Sequence, residues 1–245
     1  MINKATITSI INKYYLGIKD QRVKWIIKDN TLSIDFITPS TDVIGNVICN
    51  NFELEDSELA IYDTKKLQSL ISICNGDLLL ELEKLEKMNI KLKISDMNFN
   101  LNYALSDPLL IGKVGTVNIP EWVVEVDFSQ EDVDNLIKAK SALADIDNML
   151  LTTAKNLDDQ NVVEFIFGDE NGHNNKITYQ ISGDIKEMDM KVPFNSNMFK
   201  TILAANKDMN GGKLYLSSIG LMKLEFNSED ITSEYFISRK FETSF

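Results

Sequence analysis

Residue types that build catalytic and metal sites are scarce in this chain of 245 residues. It has one histidine, His173, and two cysteines, Cys49 and Cys74, which together cannot supply a closed set of zinc ligands. His173 lies in a turn rich in glycine and asparagine, where an exposed histidine is a simpler interpretation than a catalytic base. A glycine-rich phosphate loop is also missing, because Gly211 and Gly212 lead into a strand-like segment instead of a helix. We therefore predict no catalytic residue, no metal site and no cofactor.

Long apolar runs are absent as well. No stretch of about 18 apolar residues occurs, so no membrane span is predicted, and residues 1–19 lack the pattern of a signal peptide. Both cysteines lie in apolar surroundings, which favours free thiols in a reducing compartment over a disulfide. An apolar fraction of 44% and a charged fraction of 25% are ordinary for a globular protein. The length predicts one large domain or two medium ones.

The most informative absence is that of acidic residues from three helix-like segments. The chain carries 25 basic and 37 acidic residues, a net charge of −12, yet residues 4–16, 64–76 and 195–207 contain six lysines and no acid. Solvated helix faces normally use Glu and Asp, which pair well with Lys one turn away. Each lysine alone fits an ordinary solvated face. The set as a whole indicates a surface that meets a negatively charged partner.

Apolar residues at helical spacing predict four helices, each followed by strand-like hairpins. The first covers residues 6–16, and Asp63 is placed to cap the second. Ser129 and Asp132 form a capping box at the start of the third, and the fourth begins at Asn195. These elements predict an α+β protein with antiparallel sheets.

The two halves of the chain repeat this plan. The apolar stripe of the first helix matches that of the third at an offset of 126 residues (133 − 7), and the second matches the fourth at 132 (199 − 67). Two matches in the same order predict a duplicated domain. Residues 108–121 hold two of the four prolines and have no helical period, so they are the predicted linker. The predicted domains are residues 1–107 and 122–245.

A helical wheel shows which basic residues turn away from the core. Lys140 falls on the apolar side of the third helix and would reach solvent only by extending along the surface or where the helix bends. The basic residues opposite or beside an apolar stripe are Lys13, Lys65, Lys66, Lys138 and Lys200.

Short segments in order along most of the chain carry a resemblance to a known family. The sequence resembles the DNA polymerase sliding clamps, or processivity factors, of T-even-type tailed phages, which share the fold of proliferating cell nuclear antigen. The linker departs from that family in lacking a proline-rich run between Pro108 and Pro120. The matching segments are Ala60-Ile61-Tyr62-Asp63, 67–72, Asn89-Ile90-Lys91, Ser106-Asp107-Pro108, 129–137 and the closing 235–245.

The resemblance implies the sliding-clamp fold, with two similar domains per subunit and three subunits closed head to tail into a ring. Double-stranded DNA would pass through the ring without base recognition, facing Lys13, Lys65, Lys66, Lys138, Lys200 and, if it reaches the surface, Lys140. A DNA polymerase and a clamp loader would dock peptides near the linker and the C-terminal segment. The protein would be cytoplasmic, in the host cell if a phage encodes it. The implied peptide-binding residues are Val117, Ile119, Trp122, Tyr235 and Phe245.

Two other functions remain open at this point. Clustered carboxylates, such as Glu53, Glu55 and Asp56, are abundant enough to assemble a metal-dependent hydrolase, although clustering by chance is expected with 37 acids. A phage structural or adaptor protein built from duplicated β-rich domains would form rings or tubes without basic helices facing a hole.

Overall fold

The chain folds into two compact units in a computed structural model, which describes residues 1–168 and 175–240. Unit 1 comprises Met1–Thr116 and Glu229–Ser233, and unit 2 comprises Val117–Ser228 and the chain from Glu234. Each unit combines antiparallel sheets with two helices, which confirms the predicted α+β class. None of the helices in the described residues is long and apolar enough to cross a membrane. The predicted turn with His173 lies outside the described residues.

Unit 1 contains two four-stranded sheets, whose strand orders are β1-β6-β7-β8 and β5-β2-β3-β4. A short 3-10 helix, Pro108–Leu110, follows the last strand. The helices are α1 (Lys4–Tyr15) and α2 (Thr64–Ser72), and the strands are β1 (Ile2–Asn3), β2 (Val23–Lys28), β3 (Thr31–Ile37), β4 (Val43–Cys49), β5 (Ser57–Ile61), β6 (Asp77–Leu85), β7 (Met88–Ser95) and β8 (Asn100–Ala104).

Unit 2 repeats this arrangement, with sheets ordered β12-β11-β10-β14 and β13-β9-β15-β16-β17. Its helices are α3 (Gln130–Ala142) and α4 (Ser196–Ala205), and its strands are β9 (Trp122–Phe128), β10 (Asn148–Lys155), β11 (Asn161–Gly168), β12 (Lys176–Ser182), β13 (Asp184–Ile185), β14 (Lys191–Asn195), β15 (Gly212–Ser217), β16 (Leu221–Asn227) and β17 (Ile231–Ser238), the last of which belongs to this unit from Glu234 onward.

Side-chain caps fix where three of the helices begin. The Asp63 carboxylate accepts a hydrogen bond from the backbone N–H of Lys66, 2.8 Å away, at the start of α2. Ser129 and Asp132 exchange the two hydrogen bonds of a capping box before α3, and Asn195 caps α4. Each cap satisfies backbone N–H groups that the helix itself leaves without an acceptor. These three predicted helix starts are confirmed.

The buried faces of the helices close the two cores. Helix α1 packs on β4 and α2 on β8, while α4 packs on β10 and β14. The α1 stripe is fully buried, as is Phe199 on α4. In unit 2 the ring of Phe165 stacks on that of Phe199, with centroids 5.8 Å apart, and contacts Phe128 at 6.1 Å. These aromatic contacts add to the burial of aliphatic side chains that stabilises both cores.

Both cysteines are free and buried, as the sequence predicts. Burial raises the pKa of Cys49 to about 11, and the nearby Asp230 carboxylate adds to the effect. A thiol with so high a pKa carries almost no thiolate at neutral pH and is unreactive. Cys49 is therefore a structural residue.

Candidate nucleic-acid interface

The two helices of unit 1 lie antiparallel and side by side. The Lys4 ammonium, at the start of α1, donates to the carbonyl oxygen of Ser72, at the end of α2, over 2.8 Å. Further along α1, the Asn12 side chain accepts a hydrogen bond from Gln68 Nε2 at 2.9 Å. These contacts run in opposite directions along the two helices. The pair therefore presents one continuous surface, and neither helix contains an acid.

Unit 2 builds a similar pair from α3 and α4. An ion pair of 2.8 Å joins Asp134 on α3 to Lys207, just beyond the end of α4. The Lys207 ammonium is also the leading cause of the lowered pKa of Asp134. Of the three acids in α3, Asp132 is engaged in the capping box and accepts a hydrogen bond from the Tyr179 hydroxyl at 2.7 Å. Two of the three carboxylates are therefore already occupied, which leaves Glu131 exposed.

Three of the predicted DNA-facing lysines reach the surface of these helix pairs. Lys65, Lys66 and Lys138 are exposed, and Lys200 is half-buried. None of the four forms an ion pair with a carboxylate in the part of the chain that the structure describes. Although the protein has a net charge of −12, these ammonium groups can attract an external anion because no carboxylate is paired with them.

Lys13 does not belong to this surface. It is fully buried, and its ammonium donates to the Ser9 hydroxyl at 2.7 Å. The helical wheel fails here because the last turn of α1 is covered on every side: Tyr14, Tyr15 and Leu16 are buried too. The prediction that Lys13 faces DNA is wrong for this reason.

Lys140 is the second correction. It is 1% exposed, and its ammonium donates to the carbonyl oxygens of Leu143 and Ala144 at 3.1 and 3.0 Å. These carbonyls lie past the end of α3, where the helix supplies no donor. Burial lowers the pKa of Lys140, and the nearby Lys200 charge lowers it further. Its side chain extends along α3 to close the helix end, so it is structural and does not face DNA.

Two basic residues that the helical analysis missed, Lys19 and Arg22, lie in the loop between α1 and β2. Both are exposed, and the Arg22 guanidinium lies 3.9 Å from the centroid of the Tyr62 ring. A wheel evaluates residues only inside helices, so it gives no signal for a loop. Their position beside the start of α2 becomes visible only in the folded chain.

The predicted peptide-binding residues lie in different environments. Ile119 is 62% exposed, while Val117 and Trp122 are half-buried, with the Trp122 ring 5.7 Å from that of Tyr215. Tyr235 is fully buried, and its hydroxyl accepts a hydrogen bond from Asn206 Nδ2 at 2.9 Å. Tyr235 is thus a core residue that no peptide can reach, which corrects its prediction. Phe245 lies outside the described residues.

A groove in unit 1 offers apolar surface that sequence reasoning did not identify. It has a volume of about 570 Å³ and lies between β2, β3 and the segment after the 3-10 helix. Ile26, Ile37 and Leu110 line it with 43%, 38% and 64% of their surfaces exposed. Outward isoleucines on β2 and β3 are the one sequence signal, because the solvent face of a sheet is ordinarily polar.

The described residues provide no metal site. Within 1–168 and 175–240, no three His, Cys, Asp or Glu side chains lie close enough together to hold an ion. The carboxylates that suggested a hydrolase are instead spread through surface ion pairs; Glu55, for example, lies 2.6 Å from the Lys84 ammonium. The geometry of the described residues therefore gives no support to a metal-dependent hydrolase.

Comparison with known proteins identifies the fold. No family model matches the sequence, and no curated protein does. Solved structures match over nearly the full chain. The structure of proliferating cellular nuclear antigen (PCNA) from Entamoeba histolytica superposes with a TM-score of 0.73 and 14% identity, covering 98% of this chain and 96% of that one.

Two archaeal structures agree with it. A PCNA2-PCNA3 complex from Sulfolobus tokodaii matches with a TM-score of 0.74 and 13% identity, over 98% of both chains. A. fulgidus PCNA bound to the C-terminal region of FEN-1 matches with a TM-score of 0.74 and 13% identity, over 99% of this chain and 98% of that one. The predicted sliding-clamp fold is confirmed.

The different roles of two lysines on α3 give a direct prediction. Replacing Lys140 by Ala removes the donor to the buried carbonyl of Leu143 and the part-buried carbonyl of Ala144, and we expect the free energy of unfolding to fall by about 1–3 kcal/mol. Lys138→Ala, on the exposed face, should change it by less than about 0.5 kcal/mol. Chemical denaturation of both variants measures the difference. If the two variants have the same free energy of unfolding, the hydrogen bonds of Lys140 do not contribute to stability.

Proposed function

We propose that the chain is a sliding clamp: it encircles duplex DNA as a closed homotrimeric ring and tethers the replicative DNA polymerase for processive synthesis. The observation that carries this proposal is the full-length similarity of fold to three PCNA structures. The clamp acts by topology and catalyses no reaction. It works wherever its DNA is replicated, which for a phage protein is the cytoplasm of the host.

The distribution of charge supports a channel for DNA. Lys65, Lys66 and Lys138 project from helix pairs, while most of the acidic excess lies elsewhere in the chain. Contacts of lysine with phosphate are independent of base sequence and weaken as salt rises. A few such contacts attract the DNA backbone without fixing its position. This is the electrostatic requirement of a ring that slides.

Two edge strands support self-association. β8 ends one sheet of unit 1 and β12 ends one sheet of unit 2. Leu105 N donates to Ile90 O on the β7 side at 2.9 Å, so by alternation Asn102 directs its N–H and C=O away from β7. β8 carries no charged residue, although exposed edges are ordinarily protected by charge or proline. We infer that β8 of one subunit pairs with β12 of the next.

The same fold supports docking of partner peptides. The A. fulgidus PCNA structure contains a C-terminal region of another protein, FEN-1. We propose that the polymerase and the clamp loader bind in the same way. One candidate contact is the groove of unit 1 lined by Ile26, Ile37 and Leu110. Separate candidates in unit 2 are Val117 and Ile119 of the linker and Trp122 at the start of β9. A phage origin remains a proposal that rests on the sequence resemblance.

The ring predicts a definite mass. Light scattering at high protein concentration should give about 83 kDa, three times the 27.8 kDa of one chain. Asn102→Pro removes an outward N–H from β8 without removing a bond to β7, so we expect it to shift the mass toward one chain. Asn102→Ala keeps the N–H and is the matched control.

A thermal unfolding curve tests whether the Asn102→Pro variant retains its fold. A wild-type protein that stays monomeric at every concentration would count against the ring. A folded proline variant that remains trimeric would instead reject β8 as the contact.

The DNA-facing assignment predicts a loss of processivity. Lys65→Glu with Lys138→Glu places carboxylates against phosphate and should shorten the DNA made per binding event by the polymerase that the wild-type chain assists. Lys28→Glu with Lys87→Glu makes the same change of charge at exposed positions in strand β2 and in the β6–β7 turn. Primer extension with a trap for released polymerase measures both. If both pairs behave alike, the assignment fails.

A further inference from the structure

A cleft in unit 1 brings three basic side chains together with two acidic ones. It has a volume of about 420 Å³ and lies between the loop after α1 and the start of α2. Lys19, Arg22 and Lys65 line it, and none of them forms an ion pair within the described residues. Two acids, Asp20 and Asp63, also line the cleft. Whether the cleft attracts an anion therefore depends on which of these charges are available to a ligand.

The three cations can donate hydrogen bonds to a ligand, while the Asp63 carboxylate is bound to the start of α2. The Asp63 carboxylate accepts from the Lys66 backbone N–H and is held as the cap of α2. The Arg22 guanidinium lies over the Tyr62 ring, a contact that orients it and leaves its N–H groups at the edge free to donate. Lys65 stands in the first turn of α2, where the helix dipole also favours an anion. The three cations outnumber the two acids Asp20 and Asp63, so the cleft carries a net positive charge that favours an anion such as a phosphate group.

The duplication supplies an internal comparison. In unit 1 the Thr64 hydroxyl donates to the carbonyl oxygen of Gln21 at 2.9 Å. In unit 2 the Ser196 hydroxyl donates to the carbonyl oxygen of Ile146 at 2.7 Å. Both hydroxyls are buried and each is the first residue of its helix. Because the same hydrogen bond occurs in both units, Gln21 corresponds to Ile146 and Thr64 corresponds to Ser196.

The aligned positions differ in charge. The residue after Gln21 is Arg22, whereas the residue after Ile146 is Asp147. The residue after Thr64 is Lys65, whereas the residue after Ser196 is Asn197, whose amide donates to the Asp147 carboxylate at 2.6 Å. The position that is basic in unit 1 is therefore acidic and internally bonded in unit 2.

We propose that the cleft of Lys19, Arg22 and Lys65 binds a phosphodiester group of the DNA backbone, and that unit 1 makes this contact while unit 2 does not. The inference rests on the proposed sliding clamp and goes beyond it in assigning the contact to one half of each subunit. In a ring of three subunits this cleft would occur three times, in addition to the contacts proposed for Lys138 of unit 2.

Exchanging the aligned residues tests the proposal. Arg22→Asp with Lys65→Asn gives unit 1 the residues of unit 2, and Asp147→Arg with Asn197→Lys does the reverse. The probe is a short labelled DNA duplex, titrated by fluorescence anisotropy at several salt concentrations. The first exchange should weaken binding roughly tenfold at low salt and reduce the salt slope by about 0.9 for each phosphate that the protein no longer neutralises. The second should strengthen binding.

A matched control separates the cleft from net charge. Lys28→Asp with Lys87→Asn changes the charge by the same amount at exposed positions outside the cleft. Lys19→Gln, in the exposed loop, tests the cleft without touching a helix. Light scattering and thermal unfolding confirm that each variant keeps its assembly and fold.

The outcomes distinguish this inference from the function on which it rests. Affinity in the cleft exchange equal to that of the control would overturn the phosphate cleft while leaving a clamp that binds DNA. An unchanged affinity in the reverse exchange would overturn the asymmetry between the units. A wild-type protein that neither forms a ring nor binds the duplex would reject both the clamp and the cleft.

Discussion

If the proposed function is right, the repulsion between carboxylates and DNA phosphate is the constraint on which the rest of the structure depends. A chain with a net charge of −12 can surround DNA only if its carboxylates are kept away from the surface that DNA meets. Helices α1, α2 and α4 satisfy this by containing no acid. In α3, Asp132 and Asp134 are held by hydrogen bonds or an ion pair within unit 2. With these carboxylates absent or occupied, a few lysines are enough to make the helix surface attractive to phosphate.

Several lysines in these helices serve the fold instead of the ligand. Lys4 joins the start of α1 to the end of α2, Lys140 closes the end of α3, and Lys13 is buried beside Ser9. Only a folded structure separates such lysines from those that meet solvent. The basic surface is correspondingly small, and its strongest concentration lies beside the start of α2. Weak attraction at few points is what free sliding along DNA requires.

Local signals carried most of the successful sequence predictions. The caps Asp63, Ser129 and Asn195 located three helix starts because a cap is decided by neighbouring residues. Strand β10 lacks the alternation that marks a half-buried strand, because its residues 151–153 are consecutively buried. Lys13 and Tyr235 were misassigned because their burial depends on residues distant in sequence. The loop cations Lys19 and Arg22 had no periodic pattern to reveal them.

Topological linkage to DNA is the most direct test of whether this chain forms a closed ring around a duplex. The protein is incubated with a nicked circular duplex, its subunits are crosslinked, and the sample is then denatured in detergent. A closed ring around DNA would stay with the circle under these conditions and be released when a restriction enzyme cuts the circle. Crosslinked protein that leaves the intact circle in detergent would contradict the claim that this chain encloses DNA.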